Sequence, residues 1–124
     1  MIQTLLHVAL GGAIGASGRY LTGVAATRVF GTGFPWGTLI VNVVGSFLMG
    51  VIVVALAHLS ATRFGPFLMT GVLGGFTTFS AFSLDAVTLW ERGAVLPAVA
   101  YLAGSVILSL AALVAGLLLA RSLA

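Results

Sequence analysis

Charged side chains are scarce in this chain of 124 residues. It has five arginines, no lysine and two acidic residues, so charged residues make up only 6% of the sequence, against 60% hydrophobic. Soluble domains carry about a quarter charged residues, and so few polar groups could not cover a surface that faces water. The sequence therefore predicts a membrane protein whose solvent is the lipid bilayer.

Other absences exclude further classes of protein. The chain has no cysteine, which rules out disulfides, thiol chemistry and cysteine metal sites. Its net charge of +3 comes from isolated arginines at the ends of apolar runs, whereas a nucleic-acid partner would need a basic stripe. His7 and His58 lie in different apolar segments, and Asp85 and Glu91 are expected to reach the membrane interface. No acid–base or metal cluster typical of an enzyme is therefore expected.

Apolar runs fill almost the whole chain. A membrane-spanning helix needs roughly 20 apolar residues, and four stretches meet this length, joined by short connections that contain glycine or proline. No positive charge precedes the first apolar run, and three more apolar runs follow it. Both features argue against a cleaved signal peptide. We predict one all-α domain over residues 1–124, with four transmembrane helices at about 2–27, 36–59, 66–89 and 95–120.

The arginines give almost no bias to the membrane orientation. With four spans, Arg63 and Arg121 share one side with both termini, while Arg28 and Arg92 lie on the other side. Orientation normally follows a clear excess of Lys and Arg, so insertion in both directions would be expected, although other cues can also orient a small protein. Four helices of this length fill their own interior. A pathway would thus require either a larger assembly or a seam between subunits, as in a homodimer of oppositely inserted copies.

Residues 74–83, GGFTTFSAFS, form a polar and glycine-rich stretch at the centre of the third span. Its glycines and threonines favour a helix broken near the bilayer midplane, and free backbone groups at that depth need protein, water or an ion. Phe79 and Phe82 share a face if the helix resumes. Their positively polarised ring edges could receive a small anion, or the two rings could be ordinary core side chains.

Polar side chains occur at depth in the other spans too. Asn42 could donate to an ion or form an interhelical hydrogen bond. Tyr101, Ser105 and Ser109 are spaced by four on one face of the last helix, which indicates a polar track, unless the serines bond back to their own helix carbonyls. Arg19 is either a fixed positive charge near one mouth or a snorkelling anchor.

Taken together, these motifs resemble the fluoride channel family known as Fluc or CrcB. The matching pieces include Gly11-Gly12…Gly15…Arg19-Tyr20 and Gly37-Thr38…Asn42…Gly45. Residues 74–83 provide the most specific motif, and the similarity extends over the whole chain, including its length and four-span layout.

The resemblance implies an antiparallel, dual-topology homodimer in the cell (inner) membrane that conducts fluoride passively outward and protects against fluoride toxicity. It implies two pores, each built from both subunits, and a structural sodium ion held by the backbone carbonyls of Gly74 and Thr77 from each copy. Arg19 would lie near the aqueous vestibule. The implied fluoride pathway contains Thr38, Asn42, Phe79, Ser80, Phe82, Tyr101, Ser105 and Ser109.

Two other kinds of protein fit these residues less well. A small proton-coupled multidrug exporter would need an ionisable residue deep in the membrane. The first, second and fourth spans contain no acid, and Asp85 is off-centre in the third. An assembly subunit without transport activity would leave the three polar clusters at matching depth unexplained. The sequence therefore favours the channel.

Overall fold

The computed structural model describes all 124 residues and consists of helices and short connections, with no strand. A turn of 3₁₀ helix at Thr62–Phe64 precedes the third membrane segment, which is divided into two parts. The first of these parts, a π-helical stretch that continues into a single α-helical turn, is named α3. The helices are α1 (Ile2–Phe30), α2 (Trp36–His58), α3 (Pro66–Leu73 and Gly74–Phe76), α4 (Phe79–Glu91) and α5 (Val95–Leu123).

The predicted break in the third helix is present at Thr77 and Thr78, between α3 and α4. The outer helices run slightly farther than predicted: α1 continues to Phe30 and α5 to Leu123. Gly31 has a φ of 79°, a left-handed conformation that glycine adopts without steric cost. It therefore marks the end of α1, as glycines commonly do after a helix.

Three segments are long and apolar enough to cross a membrane: α2, Thr62–Glu91 and α5. The helix α1 has 29 residues but is less apolar, because Gln3, Thr4, His7 and several glycines interrupt its hydrophobic residues. Of the four predicted crossings, three are thus shown by length and composition. Only 16 of 124 residues are buried and large apolar side chains cover the outside, as expected where lipid replaces water.

Glycines bring α1 and α3 into close contact. The two helices run in the same direction, since Gly11 lies against Gly71 while Gly15, one turn later, lies against the backbone near Phe76. A Cβ atom added to Gly15 would lie 2.8 Å from the Phe76 nitrogen. Small residues at such spacing let helix backbones approach within a membrane. This packing fixes α3 against α1 up to the break.

The helices α2 and α5 form the second pair. Gly50 lies against the α5 backbone, where an added Cβ would be 3.2 Å from the carbonyl carbon of Gly116. The buried apolar cluster joins α4 to α5 through Phe82, Leu89 and Tyr101. The break therefore faces α2 and α5 on one side and α1 on the other.

Candidate functional site

Two threonines end α3 and begin α4. Thr77 and Thr78 have extended backbones, with ψ angles of 160° and 125°. The Thr77 amide and hydroxyl both donate to the carbonyl of Leu73, at 3.0 and 2.9 Å. The Thr78 hydroxyl accepts from the amide of Ala81 at 3.1 Å, which is the usual way for threonine to cap a helix amino terminus. Local side-chain chemistry thus stabilises the break.

The carboxamide of Asn42, on α2, spans the break. Its Nδ2 donates to the Thr78 carbonyl at 3.0 Å, and its Oδ1 accepts from the Thr78 amide at 2.8 Å. These bonds replace those that Thr78 would make in a continuous helix. Of the two predicted roles of Asn42, the interhelical hydrogen bond is therefore observed. One amide hydrogen of Asn42 makes no bond within the chain and remains available to a ligand.

The carboxyl end of α3 presents backbone carbonyls at the break. The Gly75 carbonyl accepts from the Nε of Arg19 at 3.1 Å. None of the chain's turn, cap or side-chain hydrogen bonds reaches the carbonyl oxygens of Gly74 or Thr77. Helix-terminal carbonyls carry partial negative charge. The two predicted cation ligands are therefore unpaired oxygens at the end of a half-helix.

A cavity of about 430 Å³ lies between the break, α2 and α5. We call it the break cavity. It is bounded by polar groups from three helices and by apolar side chains of α5. Five of the predicted pathway residues line it: Asn42, Phe79, Phe82, Ser105 and Ser109.

The two phenylalanines of α4 differ in burial. Their ring centroids are 5.5 Å apart with an interplanar angle of 55°. Phe82 is 8% exposed and packs against Tyr101 at 5.2 Å, whereas Phe79 is 78% exposed. The interpretation as core side chains fits Phe82 but not Phe79. A large ring left this exposed beside a polar cavity is available to a second surface.

The serines of α5 have unused hydroxyl groups. Ser105 is only 5% exposed, and its buried Oγ has no hydrogen-bond partner. Neither Ser105 nor Ser109 bonds back to its own helix, unlike Ser83, whose Oγ donates to the Phe79 carbonyl at 3.0 Å. Buried hydroxyls almost always have a partner. The orphaned Ser105 group therefore points to a ligand in the break cavity.

Tyr101 does not continue this row into the cavity. It is buried, and its hydroxyl donates to Oδ2 of Asp85 at 3.1 Å. The sequence did not predict this contact, in which Asp85 is half-buried and accepts a hydrogen bond from α5. The spacing could have revealed it, since Asp85 follows Phe82 by three residues and shares its face. Asp85 also lines a separate cavity of about 310 Å³ under the α1–α2 connection.

The remaining predicted residues lie on the other side of the break. Arg19 and Thr38 line a cavity of about 540 Å³ together with Arg28 and Thr78. We call it the arginine cavity. Thr78 borders both this space and the break cavity. Ser80 lines neither, and its hydroxyl lies 3.3 Å from that of Thr78. Apart from Ser80 and Tyr101, the predicted pathway and vestibule residues thus line two cavities, one on each side of the helix break.

Comparison with known proteins gives consistent matches along the chain. The family described as "CrcB-like protein, Camphor Resistance (CrcB)" matches residues 6–117. A relative from Cereibacter sphaeroides, named "Fluoride-specific ion channel FluC", is 68% identical over 121 residues, which cover 98% of this chain and 97% of the relative. Relatives with the same name from Ruegeria sp. and Paracoccus denitrificans are 62% and 54% identical. The Ruegeria match covers 98% of this chain and 97% of the relative, and the Paracoccus match 99% and 98%.

Proposed function

This chain belongs to the CrcB-like protein family, and from that membership we infer that it forms a fluoride-specific ion channel. The relatives that carry this name match it over nearly their full length, so the likeness is not confined to one segment. A channel performs no chemical conversion, and the chain is accordingly not an enzyme. It is a multi-pass membrane protein, which we place in the cell (inner) membrane with α1 as its fourth crossing.

The buried, unpaired hydroxyl of Ser105 is the observation that best supports this proposal. Fluoride is small and strongly hydrated, so a selective pathway must replace its lost water with hydrogen-bond donors. Ser105, Ser109 and the free amide hydrogen of Asn42 supply donors around the break cavity. Each is weak alone, and several weak sites in series allow an ion to enter and also to leave.

The phenylalanines would complete this donor set. Phenyl rings are negative on their faces and positive on their edges. The planes of Phe79 and Phe82 are tilted by 55° to one another. The two rings therefore do not both present a face to the same point of the cavity. We assign them the task of stabilising fluoride through ring edges where hydroxyl groups are absent.

A second copy of the chain would close the pathway. The ring of Phe79 is 78% exposed, and fluoride beside it in a single chain would meet lipid rather than donors. Because the arginines are balanced between the two sides, opposite insertion is favoured. An antiparallel homodimer follows, with two pores, since each copy contributes one break cavity.

The carbonyls of Gly74 and Thr77 fit a structural sodium ion. Hard cations prefer oxygen ligands, and both oxygens are free of hydrogen bonds from turns, caps and side chains. Two oxygens are too few for such a cation, whereas a twofold axis would double them. Sodium would supply a positive charge between the ends of two half-helices. Its identity as sodium depends on the family resemblance.

The arginine cavity would form the aqueous vestibule. Arg19 and Arg28 give it positive charge, and Thr38 adds a hydroxyl; such clefts concentrate anions. Tyr101 could donate to fluoride only after leaving Asp85. We therefore place Thr38, Tyr101 and Ser80 at the margins of the fluoride pathway.

The alternative function, proton-coupled export of organic cations, gains one supporting observation from Asp85, an acid half-buried in a membrane segment.

Reconstitution into liposomes loaded with potassium fluoride distinguishes a fluoride channel from such an exporter. With valinomycin present and no pH gradient, we expect rapid fluoride efflux at a fluoride electrode. Uptake of an organic cation that requires a pH gradient, without fluoride efflux, would show an exporter instead.

A further inference from the structure

Arg19 makes a contact that a vestibule charge does not require. Its Nε donates to the Gly75 carbonyl at 3.1 Å, which links α1 to the last turn of α3 across 56 residues of sequence. A side chain that only attracted anions from water would leave its guanidinium in the open space of the arginine cavity. Here Arg19 is half-buried, and its Nε is bonded to the helix break.

In the sequence, the bonded carbonyl lies between the two proposed cation ligands. Gly75 follows Gly74 directly and precedes Thr77 by two residues, at the negative end of the half-helix. Arg19 pairs with the Gly75 oxygen, while the oxygens of Gly74 and Thr77 receive no hydrogen bond from a turn, cap or side chain. Close packing holds this arrangement, since a Cβ added to Gly75 would lie 2.7 Å from the Gly12 carbonyl.

We propose that Arg19 is a positioning residue for the structural cation. By fixing the end of α3, it keeps the carbonyls of Gly74 and Thr77 directed away from their own helix and toward the cation. This inference rests on the proposed function, since it assumes the cation between two copies. It assigns Arg19 an effect on the assembly of the dimer in addition to any effect on fluoride access.

The direction in which the sodium requirement of the dimer changes on removal of Arg19 distinguishes a positioning role from a purely electrostatic one. If Arg19 acted on the cation only through its charge, removing it would relieve the repulsion between the two positive charges. Less sodium would then be needed to form the dimer. If Arg19 positions the carbonyls, its removal loosens the end of α3, and more sodium is needed. Arg28 is a matched control because it lines the same cavity with the same charge but makes no hydrogen bond to the break.

The experiment measures the fraction of dimer in detergent against sodium concentration, with choline replacing sodium at constant ionic strength. The full-length protein is compared with Arg19→Gln, Arg19→Lys and Arg28→Gln. We expect Arg19→Gln to raise the sodium midpoint about tenfold, the scale of one lost charge-assisted hydrogen bond. Arg19→Lys should raise it less, since lysine keeps the charge and a donor, and Arg28→Gln should not raise it.

Each outcome decides between the accounts. An unchanged or lower midpoint for Arg19→Gln would overturn the positioning role and leave the channel intact. An equal rise for Arg28→Gln would also overturn it, because that residue does not contact the break. If Arg19→Gln forms no dimer at any sodium concentration, the midpoint of Arg19→Lys decides by the same criterion. A wild-type dimer that is insensitive to sodium, while fluoride flux persists, would overturn the cation and this inference together.

Discussion

Replacing Ser105 with alanine should slow fluoride transport without lowering the stability of the protein. The Ser105 hydroxyl is buried and has no hydrogen-bond partner within the chain, so its removal breaks no bond in the protein. Alanine leaves the surrounding side chains of α5 in place. If the hydroxyl serves a ligand in the break cavity, the protein should fold as well without it and transport less fluoride.

The expected magnitudes follow from the cost of an unpaired polar group. A buried, unsatisfied hydroxyl costs about 1–3 kcal/mol, so the free energy of unfolding of Ser105→Ala should stay equal or rise by about 1 kcal/mol. A hydrogen bond to a charged partner is worth about 1.5–3 kcal/mol. Losing it at a barrier should slow fluoride flux by roughly ten- to a hundredfold.

The assay compares Ser105→Ala with Ser122→Ala on the same helix. Ser122 is exposed and donates to its own helix carbonyl at Leu119, at 2.7 Å, so its loss should change neither stability nor flux appreciably. Unfolding in detergent and fluoride efflux from liposomes are measured for both variants. A destabilised Ser105→Ala protein with full flux would refute the reasoning, because the hydroxyl would then be structural.

Three further outcomes are expected. Asn42→Leu should lower the free energy of unfolding by about 2–4 kcal/mol, because the amide and the carbonyl of Thr78 both lose their hydrogen-bond partner. Denaturation in detergent measures this loss, and an unchanged midpoint would contradict the prediction. Gly75→Ala should reduce dimer yield on size-exclusion chromatography, while Gly12→Ala, whose Cβ meets open space, should not; equal yields would count against close α1–α3 packing. A reporter fused after Ala124 should be found on both sides of the membrane, and detection on one side only would exclude dual insertion.

The helix break could be predicted from the sequence because its cause is local. Glycines and threonines in residues 74–83 disfavour a continuous helix, and Thr78 then caps the next one. The starts of the later helices could also be predicted from the prolines near them, whereas α1, α4 and α5 end at Phe30, Glu91 and Leu123, a little beyond the predicted limits. These features depend on neighbours in the chain and require no knowledge of packing.

The contacts across helices could not be predicted in the same way. The bond from Arg19 to Gly75 and that from Tyr101 to Asp85 depend on how the helices are rotated against each other. No spacing within one helix specifies that rotation. The burial of Phe82 beside the exposure of Phe79 likewise follows from the packing of α4 on α5. The sequence therefore indicates polar residues in each helix, but not which of them form pairs across helices.

The most direct test of the central claim is a comparison of two anions in one preparation. Liposomes containing the purified protein are loaded with equal concentrations of potassium fluoride and potassium chloride, and valinomycin is added to balance the charge. Electrodes selective for each anion then follow both effluxes. We predict that the fluoride gradient collapses while the chloride gradient persists. Loss of both gradients at similar rates would contradict a fluoride-specific channel.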